Sequence, residues 1–246
     1  MNADHAIQLQ LLDLQTADTA LAQLAHRRRT LPELAALHER ERNLDALRGD
    51  IVDAETLVSD LADDQRRLEG EIDTVRARET RDEQRLLSGG LPAKDLEGLQ
   101  HELVTLKRRQ STLEDELLEV MEQREAADGA LSQLSAQQSA IEVECADLVI
   151  ARDAAFTEID ASRAQRTQER DRLAAGMPED LLALYEKGRE HSGGTGAAML
   201  RHGRCEGCHI ELSGSELNSV RSAEPDLIVR CDNCRCILIR TSESGL

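Results

Sequence analysis

Aromatic residues are almost absent from the sequence, which has one phenylalanine, one tyrosine and no tryptophan in 246 residues. Aromatic side chains supply much of the buried area of ordinary globular cores, so this chain does not suit one large globular core. Charged residues make up 32% of it, and Ala, Leu, Glu, Gln and Arg are abundant. Such a composition is typical of long helices that bury a narrow apolar seam.

Long apolar runs are also missing. No stretch approaches the roughly 18 consecutive apolar residues of a membrane helix, and residues 1–10 lack the basic start and apolar middle of a secretory signal. We therefore expect a cytoplasmic protein with no membrane partner. The net charge of -18 argues against a generally basic, nucleic-acid-binding surface and favours a solvated acidic one.

Two leucine-rich heptad runs dominate the first two thirds of the chain. Apolar residues alternate at spacings of three and four over residues 44–75 and again over residues 96–148. A repeat of about 3.5 residues kept this long predicts a left-handed coiled coil. The short segment 88–94 (Ser-Gly-Gly-Leu-Pro-Ala-Lys) separates the runs, so we predict that it is the tip of a long antiparallel helical hairpin.

The tip also predicts a pairing register. Folding the chain about it pairs residue i with roughly residue 181 minus i. We interpret the few polar seam residues as positions that fix this register. The rule places Gln65 near Leu117, Arg124 near Val58, and Asp18 near Arg163 and Arg166.

Three domains are expected. Residues 1–176 form the coiled-coil hairpin, with a kink near residues 30–32 where a proline follows a threonine. Residues 177–197 contain a short helix and a glycine-rich segment that is either a flexible linker or a tight turn. Residues 198–246 form a small β domain, so the fold class is mainly α with a C-terminal zinc ribbon.

The zinc ribbon is predicted from four of the six cysteines, which form two Cys-x-x-Cys pairs. Two intervening residues let both thiolates of a tight turn face one ion, and two such turns supply a tetrahedron of sulfurs. Because four protein ligands leave no open position for water or substrate, we predict one structural Zn²⁺. The expected ligands are Cys205, Cys208, Cys231 and Cys234.

Other readings of these residues stay open. A disulfide set is disfavoured in a chain without a secretory signal, and an iron site of four thiolates is the alternative to zinc. His202 and His209 are alternative ligands in principle. Cys236 could replace a ligand or become oxidised, but we interpret it as a half-buried strand cysteine, and Cys145 as a small apolar residue of the seam.

Three blocks of the sequence resemble a bacterial family of C4-type zinc-ribbon proteins with a coiled-coil hairpin. They are residues 94–102 with 106–109 and 113–122, residues 178–186, and the two Cys-x-x-Cys turns. The resemblance implies a helical hairpin with a zinc ribbon and a role as a protein-binding or nucleic-acid-binding adaptor in transcription-linked or secretion-linked processes. It implies no catalytic residue. The chain departs from the family's Gly-Arg after the last cysteine, where it has Arg235 and Cys236.

Three classes of function follow. A non-enzymatic adaptor that binds protein partners through the hairpin tip or the ribbon is the principal hypothesis. Nucleic-acid binding is the alternative, since arginines and lysines gather at residues 27–29, 76–85 and 94–109. However, the ribbon itself carries six arginines against seven carboxylates from residue 200 to 246 and lacks aromatic residues that could stack on bases. An enzyme is disfavoured because no nucleophile or open metal position is apparent.

The predicted tip generates a test. Substituting Leu91 or Lys94 should leave zinc content and helicity unchanged, since both residues lie in a short connection far from the ribbon in sequence. The same substitutions should alter the set of proteins captured from the native cell if a partner reads the tip. If both variants capture the same set of proteins as the wild type, the segment only connects the two helices.

Overall fold

The computed structural model describes residues 1–90 and 92–246. Leu91 of the predicted tip lies outside the described residues. The helices are α1 (His5–Arg29), α2 (Pro32–Ser88), α3 (Ala93–Ala175), α4 (Glu179–Ser192) and α5 (Gly214–Ser222). The strands are β1 (Ala197–Arg201), β2 (Arg204–Cys205), β3 (Val229–Arg230) and β4 (Ile237–Ile239). The predicted fold class, with long helices and a small C-terminal β region, is confirmed.

The chain divides into two compact units. The first comprises Met1–Ala35 and Ile150–Leu246, and the second comprises Ala36–Val149. The predicted domain boundaries after residues 176 and 197 stay a prediction. Among the helices of residues 1–90 and 92–246, none is long and apolar enough to cross a membrane.

The second unit is an antiparallel pair made from parts of α2 and α3. Its best-buried seam residues are Leu68, Ile72 and Leu113, with partly buried apolar neighbours on both helices. Ion pairs flank this seam and join the helices at mostly exposed positions, where each contributes at most about 1 kcal/mol. They are Arg76–Glu114, Arg78–Glu102, Arg109–Glu71 and Lys107–Glu79. Burial of the apolar seam therefore holds the pair together.

The predicted register is wrong at the polar seam positions. Arg124 Nη1 donates a hydrogen bond of 3.0 Å to Gln65 Oε1. The predicted partners were Val58 for Arg124 and Leu117 for Gln65, so each observed partner lies seven residues further along the chain. The pair as a whole is not shifted by a heptad, because Arg78–Glu102 and Arg109–Glu71 join residues whose numbers sum to 180, as the rule expects. The difference has a physical cause, since a partly buried guanidinium gains more from an amide oxygen than from the apolar neighbour that the predicted register offered.

The first unit is built around a four-stranded sheet of order β2-β1-β4-β3. Strands β1 and β4 are parallel, and both outer pairs are antiparallel. Because side chains alternate along a strand, the sheet has two apolar faces. One face, with Ala197, Ile237 and Ile239, packs on helices α1 and α4. The other, with Leu200 and Leu238, packs with the cysteines and α5.

The helical face of this sheet contains a buried polar group. Leu11, Leu14, Leu181 and Tyr185 are completely buried there, and the Tyr185 hydroxyl donates a hydrogen bond of 2.8 Å to Asp18 Oδ2. Burial raises the pKa of Tyr185, and the hydrogen bond to Asp18 adds to this rise. The phenol therefore stays a donor to the carboxylate.

The arginine partners predicted for Asp18 are wrong. Asp18 Oδ1 lies 3.3 Å from Arg170 Nε and 3.5 Å from Arg189 Nη1, in place of Arg163 and Arg166. The reason is that α4 packs at this level and contributes both Tyr185 and Arg189. The carboxylate thereby links α1, α3 and α4, an arrangement that a two-helix pairing rule could not anticipate.

The segment after α5 is fixed by contacts that the sequence pattern did not indicate. Arg240 donates hydrogen bonds to five backbone carbonyl oxygens between Val220 and Leu227, with donor–acceptor distances of 2.6 to 3.3 Å. The N-terminal residues also pair with this segment, since Ala3 N donates to Asp226 O at 2.8 Å. The two ends of the chain are therefore joined within the first unit.

The Asp18 cluster predicts a graded loss of stability. Tyr185→Phe should lower the free energy of unfolding by about 1.5 kcal/mol, because one hydrogen bond to a charged group is lost. Asp18→Ala should cost about 3 kcal/mol, because it leaves two guanidinium groups and a buried hydroxyl without their shared acceptor. Urea unfolding measures both changes.

Asp45→Ala is the matched control for this series. Asp45 pairs with Arg48 at an exposed position, where the side chains are 73% and 61% exposed, and its loss should cost no more than about 0.5 kcal/mol. An Asp18→Ala variant as stable as this control would contradict the role given to the buried carboxylate.

Candidate metal centre

Two turns of the same construction carry the four predicted ligands. Within each, the N–H that follows the second cysteine donates to the carbonyl of the first, from His209 to Cys205 at 2.7 Å and from Arg235 to Cys231 at 2.9 Å. The arginine that precedes each turn makes an equivalent hydrogen bond in both. Arg204 Nε donates to the His209 carbonyl, and Arg230 Nε donates to the Arg235 carbonyl.

The two turns bring their sulfur atoms to one point. The ligand atoms of Cys205, Cys208, Cys231 and Cys234 all lie within 4.8 Å of one another. Across the two turns, the Sγ atoms of Cys205 and Cys234 are 3.8 Å apart, as are those of Cys208 and Cys231. Among the residues that the structure describes, this is the one such group of three or more Cys, His, Asp or Glu side chains.

These distances fit a zinc ion. A tetrahedron with Zn–S bonds of about 2.3 Å has S···S edges of about 3.8 Å, which equals the separation measured across the turns. The donor set also fits, because four thiolates are a common ligand set of structural zinc. Neither His202 nor His209 belongs to the group of donor atoms that meet here.

Backbone amides prepare the sulfurs to carry negative charge. In the first turn, the N–H groups of Gly207 and Cys208 bond to the Cys205 sulfur, and the N–H of Ile210 bonds to that of Cys208. The second turn repeats this, with Asn233 and Cys234 bonded to Cys231, and Cys236 bonded to Cys234. Each sulfur thus has donors that stabilise a thiolate.

The four thiols titrate unequally. A hydrogen bond from the Cys236 thiol, assisted by the amides of its own turn, lowers the pKa of Cys205 to about 4. Burial raises the pKa values of Cys208, Cys231 and Cys234, because the charged form loses its hydration. Four thiolates this close together repel one another, so a divalent cation at their centre would stabilise all four together.

Cys236 differs from its prediction. It is completely buried, not half-buried, and its Sγ atom lies 3.2 Å from that of Cys234 and 3.6 Å from that of Cys205. The hydrogen bond to Cys205 and burial both raise the pKa of Cys236. The spacing of the cysteines in the sequence indicated only the two Cys-x-x-Cys pairs. The alternation of side chains along the strand did not indicate that Cys236 faces the cluster.

Arg235 has a left-handed backbone, with a φ of 64°. His209, its counterpart in the first turn, has a φ of 58°. A residue with a Cβ pays about 1 to 2 kcal/mol for this conformation, whereas glycine adopts it freely. The glycine expected by resemblance at position 235 therefore has a structural reason, and the arginine carries the cost.

Arg235→Gly should raise the stability of the ribbon. The gain should be no more than about 1 kcal/mol, since part of the relief is offset by the greater freedom of glycine in the unfolded chain. Arg235→Ala is the matched control, because alanine removes the same charge and keeps the left-handed cost. Thermal unfolding with zinc present measures both, and a glycine variant no more stable than the alanine variant would contradict the strain.

Comparisons with known proteins agree with this architecture. Residues 14–193 match the model of the CT398-like coiled coil hairpin domain, and residues 204–238 match that of the C4-type zinc ribbon domain. The uncharacterized protein Rv2229c of Mycobacterium tuberculosis is 40% identical over 243 residues, which cover 98% of each chain.

Solved structures show the same fold. A structure from Mycobacterium smegmatis has 38% identity and a TM-score of 0.87, and the match covers 98% of this chain and 100% of that one. CT398 from Chlamydia trachomatis has 19% identity and a TM-score of 0.73, with 96% and 98% of the two chains covered, and shows likeness of fold alone. The chain therefore belongs to the family of CT398-like coiled-coil hairpin proteins with a C4-type zinc ribbon.

Proposed function

We propose that this protein is a non-enzymatic adaptor of the cytoplasm, in which one structural Zn²⁺ stabilises the ribbon and the coiled coil binds protein partners. The ion would be held by the sulfurs of Cys205, Cys208, Cys231 and Cys234, whose separations fit a zinc tetrahedron. Because four cysteines would fill its coordination shell, such an ion would cross-link the two turns and leave no position for substrate.

The observation that carries the adaptor role is the apolar surface on the outer side of α3. The α2–α3 seam already buries the heptad leucines, yet further apolar residues of α3 face solvent. Val104, Leu118, Met121 and Val143 are 59%, 58%, 45% and 63% exposed. Leu118 and Met121 also border one shallow depression with Gln65 and Arg124. Leu118 and Met121, about one helical turn apart, form an exposed apolar pair, and apolar surface larger than a single scattered residue is typical of protein-binding faces.

Nucleic-acid binding is the second candidate, and one feature favours it. Lys187, Arg230 and Arg235 line a depression of about 550 Å³ beside the second cysteine turn, together with Glu190 and His191. Three cations against one carboxylate form a local basic site in an otherwise acidic protein, and such a site suits a phosphate group. The lining contains no aromatic side chain, so it offers no surface on which a base could stack.

Affinity capture from the native cell tests the proposal, with and without nuclease. We expect the full-length protein to retain a protein partner after nuclease treatment, and the double variant L118Q/M121Q to lose it because the exposed apolar surface is removed. Val52→Gln on α2 is the matched control, since Val52 is equally exposed, at 58%, and should keep the partner.

Two outcomes would contradict the adaptor proposal. The first is capture that nuclease abolishes and that weakens steeply with salt, which would favour phosphate contacts and the nucleic-acid alternative. The second is an identical set of captured proteins for the wild type, the double variant and the control, which would mean that the exposed α3 residues do not bind these proteins.

A further inference from the structure

A fifth sulfur touches the cluster that the zinc site uses. The Sγ atom of Cys236 lies 3.2 Å from that of Cys234 and 3.6 Å from that of Cys205. Both separations are shorter than the 3.8 Å that separates the proposed ligands across the turns. A tetrahedral shell has room for four sulfurs, so Cys236 is a thiol in contact with two ligand sulfurs and outside the shell.

The two turns have different side chains at the position of Cys236. Cys236 and Ile210 are equivalent, because the carbonyl of each accepts the N–H of the first cysteine of its turn, at 2.9 and 3.0 Å. The first turn uses an isoleucine there, 47% exposed, whereas Cys236 is completely buried against the cluster. An apolar side chain would pack in the same space, whereas the thiol of Cys236 can also react.

Solvent reaches the cluster on the side of Cys234. Cys205 and Cys231 are buried, whereas Cys208 and Cys234 are partly exposed. Of these two partly exposed cysteines, Cys234 is the one in contact with Cys236. A partly exposed cysteine beside a second thiol places a resolving partner within reach of an oxidised sulfur.

We propose that Cys234 and Cys236 form an oxidation site at the four-cysteine cluster, in which Cys234 reacts with a hydroperoxide and Cys236 is the resolving thiol. The inference goes beyond the adaptor role and rests on the proposed ligation of zinc by Cys234.

The chemistry is a two-electron oxidation of two sulfurs by one peroxide. The Cys234 sulfur attacks a peroxide oxygen, the O–O bond breaks, and the sulfur becomes a sulfenic acid while the other oxygen leaves and takes up a proton. The Cys236 sulfur then loses its proton and attacks the Cys234 sulfur. The S–O bond breaks, water leaves with that proton, and a disulfide joins the two cysteines.

The disulfide removes one ligand from the metal. A sulfur in a disulfide is no longer a thiolate, so three ligands remain and the affinity for zinc falls. Once the weakly held ion leaves, the second turn loses its link to the first, and the sheet face that packs on the cysteines loosens. Reduction by a dithiol would restore both thiols, so the change is reversible.

Peptide mapping of the full-length, zinc-loaded protein tests the site directly. Trypsin cleaves after Arg204, Arg221, Arg230, Arg235 and Arg240, so the cysteines fall in the separate peptides 205–221, 231–235 and 236–240. After treatment with about one equivalent of hydrogen peroxide, the first disulfide formed should join peptides 231–235 and 236–240, and fragmentation of the linked peptides should place it at Cys234 and not at Cys231. Disulfides confined to Cys205, Cys208, Cys231 and Cys234 would overturn the proposal.

Zinc release measured with a chromogenic chelator provides the second readout. Cys236→Ala and Cys236→Val should release zinc at least about threefold more slowly than the wild type after the same peroxide treatment, because the sheltered resolving thiol is gone. Cys145→Ala is the matched control, as Cys145 lies in α3 within the second unit, and should behave as the wild type. Equal release from all variants would also overturn the proposal.

Zinc content measured before oxidation separates this inference from the proposed metal site. A protein that binds no zinc would contradict the metal site, while peptide mapping would still test the pairing of Cys234 with Cys236. A protein that binds zinc but forms no Cys234–Cys236 disulfide would contradict the oxidation site alone.

Discussion

The convergence of four cysteine sulfurs on one point is the constraint on which the C-terminal fold depends. The sheet is small, with strands of two to five residues, and a sheet of this size has little apolar area of its own to hold it together. The cysteine turns join its two halves, because one turn follows β2 and the other follows β3. Without a cross-link there, four short strands would have to rely on packing alone.

Packing against helices also stabilises the sheet. The sheet buries one face on α1 and α4 and the other on the cysteine cluster and α5. The Asp18 carboxylate connects three helices next to the first face. The apolar core on the helical face of the sheet therefore includes leucines from the first helix of the chain.

The sequence predicted the parts of the structure that depend on local spacing. Heptad spacing indicated α2 and α3, and the spacing of the cysteine pairs indicated which four sulfurs meet. Register was not predictable in the same way, because a shift of one heptad leaves every apolar position apolar. The contact of Gln65 with Arg124 joins two polar side chains, and the apolar spacing does not specify such contacts.

Contacts between residues distant in sequence were missed for a related reason. The position of Cys236 against the cluster depends on how β4 pairs with β1 and β3, and a three-residue strand carries too little alternation to show which face it presents. The departure from Gly-Arg at residues 235–236 was visible in the sequence. Its consequence, a left-handed arginine beside a buried thiol, required the structure.

X-ray absorption at the zinc edge of the purified full-length protein measures the ligand shell of the proposed ion. We predict one zinc per chain with four sulfur neighbours at about 2.3 Å and no nitrogen or oxygen neighbour. A shell that contains nitrogen or oxygen, or a protein that holds iron or no metal after purification under reducing conditions, would contradict it.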